Sequence, residues 1–307
     1  MLPVIRPIQY LRGIAAMMVV WHHSISQIDG TKGFIPAPEF GKYGVDLFFV
    51  ISGFIMLVTT WDKPITPGEF VRHRIRRIVP LYWMATLLMI TIDIISPAMF
   101  KTFKFDAPSL LKSLFFIPYY SLSSPGDIYP LLVPGWTLNI EMFFYAMFAI
   151  TLLVERNWRT QLMVVALAAL VVAGQVLQPV SAGWRIYTNY RLLEFGAGMI
   201  LGRLWMMRAV AKRRPVDTRP NLLSHLGDAS YSIYLTHLFT LGMLRAIWVN
   251  MVHIPSLMSS IALMAVSLAV SACVGFLCYQ LVERPLTTWI SNRRLVIRIE
   301  AISDNSG

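Results

Sequence analysis

Arg12 and His23 lie eleven residues apart in one apolar stretch, Arg12-Gly-Ile-Ala-Ala-Met-Met-Val-Val-Trp-His-His23. An α-helix turns about 100° per residue, so eleven steps return to within about 20° of the starting face, about 16 Å further along the axis. The arginine and the histidine therefore share one side of one helix, and His22 points roughly 80° away. Ionisable residues are costly inside a membrane helix and are functional candidates by default. A fixed cation at one end and a proton-exchanging group at the other, facing the same way, point to an enzyme.

The elements that must hold these residues are membrane helices. Of 307 residues, 56% are hydrophobic and 14% charged, with mean hydropathy +0.59; ordinary soluble domains carry about 25% charged residues. Eight apolar runs, at 10–28, 43–61, 78–97, 136–154, 160–178, 190–207, 229–250 and 256–282, each approach the ~20 residues that cross a bilayer. A ninth piece, Leu110 to Tyr120, is short and reads as re-entrant or interfacial. The expected fold class is all-α, a polytopic transmembrane bundle of about 8–10 spans. Residues 1–290 form the membrane domain, and 291–307 form a polar and basic tail. The apolar start runs into His22-His23 without a small-residue cleavage site, so it reads as a retained first helix.

The net charge of +11 would suit nucleic acid, but its distribution argues otherwise. With the N-terminus in the cytoplasm, two-thirds of the 27 lysines and arginines fall on inner segments and fewer than a quarter on outer loops. That is the positive-inside bias. It places both termini in the cytoplasm, makes membrane lipid a partner, and leaves nucleic acid without a role. The inner stretch 208–228 reads as a basic linker and the outer loop 98–135 as a connector or a binding surface. Cys273 and Cys278 diverge by about 140° on one helix and read as unpaired buried thiols. Gly198 and Gly202 form a small-xxx-small pair for close helix packing.

Orientation sorts the polar membrane residues by depth. His23 is late in an outward-running span, while Asp46 and Glu141 are early in inward-running ones, so all three are expected in the outer half. A carboxylate beside an imidazole fixes its tautomer and raises its basicity, as a general base requires; a polar cluster that merely pins helices is the alternative. On the inner side, four arginines fall within Phe70-Val-Arg-His-Arg-Ile-Arg-Arg-Ile-Val-Pro80. Arg74 and Arg77 share a helix face near the level of Arg12, and such arginines clamp phosphates bidentately. Arg72 and Arg76 read as topology signals. His237 lies mid-span among hydroxyl side chains, where a hydrogen-bonded structural histidine is the first reading and a site residue the alternative; Arg191 and Glu194 are spaced for a local ion pair. There is no P-loop, dinucleotide fingerprint, Cys/His zinc spacing or nucleophile elbow, and no metal ligand set.

Leu11-Arg-Gly-Ile-Ala-Ala, His22-His23 and Gly44-Val-Asp-Leu-Phe-Phe-Val-Ile-Ser-Gly-Phe54 resemble the opening of the membrane-bound acyltransferase-3 family. The resemblance continues through Arg74-x-x-Arg77-Ile-x-Pro80 and Trp136-Thr-Leu-Asn-Ile-Glu141, and ends in Leu226-Gly-Asp-Ala-Ser-Tyr-Ser-Ile-Tyr-Leu-Thr-His237. The compact form is similar to bacterial exopolysaccharide and lipopolysaccharide O-acetyltransferases. It implies a multi-pass protein of the bacterial inner membrane that transfers an acyl group, usually acetyl, from acetyl-CoA to a sugar hydroxyl. The family's Arg-x10-His pattern falls on Arg12 and His23, and its Arg-x-x-Arg pattern on Arg74 and Arg77.

The resulting expectation makes His23, Asp46 and Glu141 catalytic and places Arg12, Arg74 and Arg77 on the CoA phosphates. Trp136 and His237 contact the acceptor, a polysaccharide or lipid-linked oligosaccharide. His23, oriented by Asp46, takes the acceptor proton for direct transfer; an acetyl-histidine intermediate is the variant. No cofactor is held permanently, acyl-CoA being a substrate, and other polysaccharide-assembly proteins are conceivable partners. A proton-coupled transporter also uses buried His, Asp and Glu, but predicts inverted repeats and broken helices. A non-enzymatic assembly component is the third reading, and leaves the Arg12–His23 face unexplained.

Overall fold

In the described part of each of the eight apolar runs the chain is mainly helical, the conformation that satisfies a backbone internally where water is absent. The computed structural model describes residues 6–26, 39–96, 103–209, 221–251 and 256–290, and every regular element among them is helical. In chain order the long helices are α1 (Arg6–Ser26), α2 (Tyr43–Thr60) and α3 (Pro67–Ile95), followed by the short α4 (Ala107–Leu114). Next come α5 (Gly135–Thr151), α6 (Arg156–Leu177), the short α7 (Ala182–Tyr187) and α8 (Leu192–Ala209). The chain ends with α9 (Leu222–Asp228), α10 (Ser230–Met251) and α11 (Leu257–Cys278). Four helices among the described residues are long and apolar enough to cross a membrane, by length and composition: Tyr43–Thr60, Pro67–Ile95, Arg156–Leu177 and Leu257–Ile290.

Local sequence sets the boundaries. Thr66 and Glu69 form a capping box that opens α3, with proline at the first turn, and Asp106 with Ser109 does the same for α4. These reciprocal bonds satisfy amide donors that a helix start leaves unpaired. The eight residues of α4 are about 12 Å long, in keeping with a segment that does not cross. In α6 only 22% of the apolar window is buried inside the protein, and Val165, Val176 and Leu177 are exposed. An apolar helix with so little cover from its own chain is consistent with a lipid surrounding.

Glycines set the closest helix pair. A side chain at Gly198 would put its Cβ 2.0 Å from the Val50 carbonyl oxygen, and one at Gly53 would put it 2.1 Å from that of Phe195. Backbone contact between α2 and α8 thus depends on both, whereas Gly202 is less confined, with Phe54 O at 3.2 Å. Above this seam Phe195 stacks on Phe144 at 4.1 Å, tying α8 to α5.

Two expectations change. Residues 222–228 of the expected linker form α9, where Gly227 would carry a Cβ only 2.1 Å from Gln9 O on α1; residues 210–220 lie outside the described part, as does the tail 291–307. The thiols are free but not buried, Cys273 being exposed and Cys278 half-buried. Apolar character alone does not separate a lipid-facing position from a core one.

Candidate active site

Three cavities follow one another beside α1, and each shares wall residues with the next. At the N-terminal end of α1, Gln9, Arg12, His73, Arg76, Arg77 and Glu283 surround about 540 Å³. A narrower central cavity of about 90 Å³ has Arg12, Ser52, Arg74, Arg77, Glu141 and Tyr145 in its wall. At the far end of α1, a third cavity of about 390 Å³ is lined by His22, His23, Trp136, Arg191, Tyr234 and His237. Arg12 and Arg77 belong to the first two cavities; Val45 and Tyr234 belong to the last two.

Packing positions Arg12. The close approach of α9 to α1 at Gly227 leads directly into α10, whose first residue, Ser230, accepts a hydrogen bond from Arg12 Nη2 at 2.9 Å. Arg74 sits over the rings of Phe70 and Tyr145, at 5.5 and 5.9 Å. Glu141 accepts from Ser52 Oγ at 2.8 Å and from the Tyr145 hydroxyl. Glu283 reaches the first cavity from a π-turn, Tyr279–Glu283, that extends α11. It is buried and accepts from Ser232 Oγ at 2.6 Å. Such π-turns inside helices are frequent at functional sites.

At the opposite end the His23 ring lies 5.0 Å from that of His237 and 5.3 Å from that of His22. His23 Nδ1 faces the Val19 carbonyl at 2.9 Å. A carbonyl only accepts, so the neutral ring carries its proton on Nδ1 and leaves Nε2 as the proton acceptor. Trp136 and His237, the expected acceptor contacts, share this cavity with His23.

The structure redistributes the expected cluster of His23, Asp46 and Glu141. Asp46 accepts from Arg191 Nε at 2.9 Å, not from His23. Arg191 lies over Trp136 and Tyr190, at 5.3 and 4.8 Å. Arg191 thus makes its close ion pair with Asp46 rather than with Glu194, whose Oε2 is buried without a hydrogen-bond partner among the described residues. Glu141 belongs with the arginines in the central cavity. His22, expected on another face, lines the same cavity as His23. Arg76, expected to mark topology, lines the first cavity, and so does His73. Glu283, Tyr145 and Arg191 carry no motif that ties them to the site; only helix packing brings them there.

The Asp46–Arg191 pair is about one-fifth exposed, and removing one partner costs the other its charge-assisted hydrogen bond. Asp46→Asn is expected to cost about 1–3 kcal/mol, read from thermal unfolding in detergent, with a smaller loss in an Arg191→Met background. Equal losses in both backgrounds would mean that the pair contributes nothing to stability.

The arrangement suits transfer chemistry: cations at one end, a proton acceptor at the other, and a narrow link between them. The acyltransferase domain signature matches residues 6–215. The chain is 36% identical over 291 residues to the exopolysaccharide production protein ExoZ of Rhizobium meliloti, covering 80% of this chain and 89% of that protein. It is 28% identical over 165 residues to the peptidoglycan O-acetyltransferase OatA of Listeria monocytogenes, covering 48% of this chain and 24% of that one. Against the O-acetyltransferase OatA of Staphylococcus aureus the identity is 26% over 257 residues, or 76% of this chain and 40% of that one. No solved structure matches. The matched domain spans more than half the chain, so the protein belongs to the acyltransferase-3 family.

Proposed function

We propose that the protein is an integral O-acyltransferase of the bacterial inner membrane, moving an acyl group, most simply acetyl, from cytoplasmic acyl-CoA to a sugar hydroxyl. The acceptor is a cell-surface polysaccharide or its lipid-linked precursor, a reading supported by the similarity to an exopolysaccharide production protein and to O-acetyltransferases. The observation that carries it is the succession of cavities from Arg12, Arg76 and Arg77 to His23 and His237. The positive-inside bias of the sequence supports a cytoplasmic arginine end.

Arg12, Arg76 and Arg77 hold the phosphates by charge-assisted bonds, and the pantetheine arm threads the central cavity toward His23. His23 Nε2 takes the proton of the acceptor hydroxyl while its oxygen attacks the thioester carbonyl. The C–O bond forms, the C–S bond breaks, and the departing sulfur recovers the proton from the imidazolium. Ester and CoA thiol result, and the histidine returns neutral. Glu141, held by Ser52 and Tyr145, balances the central arginines, and Asp46 fixes Arg191 in the acceptor cavity.

Protein in lipid nanodiscs, given acetyl-labelled acetyl-CoA and chemically deacetylated exopolysaccharide, is expected to release CoA and label the polysaccharide. Reconstituted transport of protons or sugar with neither CoA release nor label would replace this reading with the transporter.

A further inference from the structure

Three imidazoles line the acceptor cavity, those of His22, His23 and His237, and the reaction above uses one. His237 is 1% exposed, yet it lines that cavity. Its Nδ1 faces the Tyr234 carbonyl at 2.5 Å, so in the neutral ring the proton sits there and Nε2 is an acceptor. That Nε2 is buried and has no hydrogen-bond partner among the described residues. Buried acceptors in native proteins are nearly always filled. The Tyr234 hydroxyl, one turn away, is already engaged with Thr137 Oγ1 at 2.9 Å and Pro134 O at 3.1 Å. What His237 Nε2 requires is an O–H or N–H donor arriving in the cavity. A thioester has no O–H or N–H at its reacting carbonyl, whereas a sugar has several hydroxyls.

We infer that His237 binds the acceptor by accepting a hydrogen bond from the hydroxyl next to the one that is acylated, so that the substrate unit is a sugar ring with two free vicinal hydroxyls. The inference rests on the proposed transfer reaction. The His23 and His237 rings are 5.0 Å apart and in the same wall, and neighbouring ring hydroxyls are separated by a single carbon–carbon bond. One hydroxyl meets His23 and loses its proton; the other meets His237 and keeps it. This divides the labour between two imidazoles of the same tautomer and sets which hydroxyl receives the acyl group. Trp136, in the same wall, offers a flat apolar surface to the ring.

The test measures transfer to oligosaccharide repeats of the deacetylated exopolysaccharide, with folded protein quantified by size-exclusion chromatography. His237→Ala is expected to lower kcat/KM for the acceptor by about ten- to a hundredfold, to leave KM for acetyl-CoA unchanged, and to scatter the ester over adjacent positions by NMR. His237→Gln places an amide oxygen near the Nε2 position, able to accept a hydrogen bond but not a proton, and is expected to stay within about threefold of wild type. Independently of any variant, wild-type protein should fail on repeats whose vicinal diols have been opened by periodate and borohydride. Loss in His237→Gln as deep as in His237→Ala would make His237 a base or a structural residue and overturn the inference. So would a parallel change in the acetyl-CoA KM, or full activity on opened diols. Absence of transfer by wild-type protein would instead remove the underlying reaction.

Discussion

His23→Ala is expected to reduce acyl transfer by about 10²–10⁴-fold, the contribution typical of a positioned general base, while the protein still inserts in normal amount. The ring is half-buried and lies in the wall of a cavity, against His22 of its own helix and His237 of α10, so truncation removes a base at a cavity wall rather than in the packed core. The hydrogen bond to the Val19 carbonyl is internal to α1, and its loss leaves the helix backbone intact. His22→Ala is expected to be much milder, although His22 lines the same cavity, because it is His23 whose ring meets His237. Initial rates with labelled acetyl-CoA at saturating acceptor decide this, with acetyl-CoA affinity measured on the same preparations. Equal losses in the two variants, or a loss confined to His22→Ala, would move the proton transfer away from His23.

The helices were legible because each is an uninterrupted apolar run near bilayer length, and the alignment of Arg12 with His23 follows from the helical repeat alone. Partners across the bundle were not. Asp46 meets Arg191, 145 residues away, and a helical projection shows which residues share a face without showing which neighbour that face meets. Depth misled for Glu141 for a definite reason. Leu131 and Leu132, just before α5, are already buried, and Val133 and Pro134 line the acceptor cavity. The helix therefore begins beside that cavity, and its second turn reaches the arginines. Arg76 was misplaced by the assumption that only the i, i+3 pair faces inward. With α1, α9 and the π-turn after α11 bordering the same cavity as His73, Arg76 and Arg77, a wider arc of α3 lines that cavity.

That arc yields a graded expectation for the arginines. Arg77 lines both the first and the central cavity, so Arg77→Ala removes a charge-assisted contact worth about 1.5–3 kcal/mol, or about ten- to a hundredfold in acetyl-CoA affinity. Arg76→Ala is expected to weaken the donor in the same range, because it opens on the first cavity, contrary to what its spacing suggests. Arg74 lies deeper, over Phe70 and Tyr145 and in the wall with Glu141. Arg74→Ala should therefore lower the transfer rate as well as donor affinity, since it also removes the cation packed over Tyr145, the residue that donates to Glu141. Arg72 lines none of the three cavities, and Arg72→Ala should stay within about twofold on the same scale of interaction energies. Calorimetric titration of CoA and of CoA lacking its 3′-phosphate separates the contributions, because an arginine that meets that phosphate loses its effect when the phosphate is absent. Unchanged affinity in both Arg76→Ala and Arg77→Ala, or a loss in Arg72→Ala as large as theirs, would reduce the cluster to a topology signal and leave the donor to be bound elsewhere.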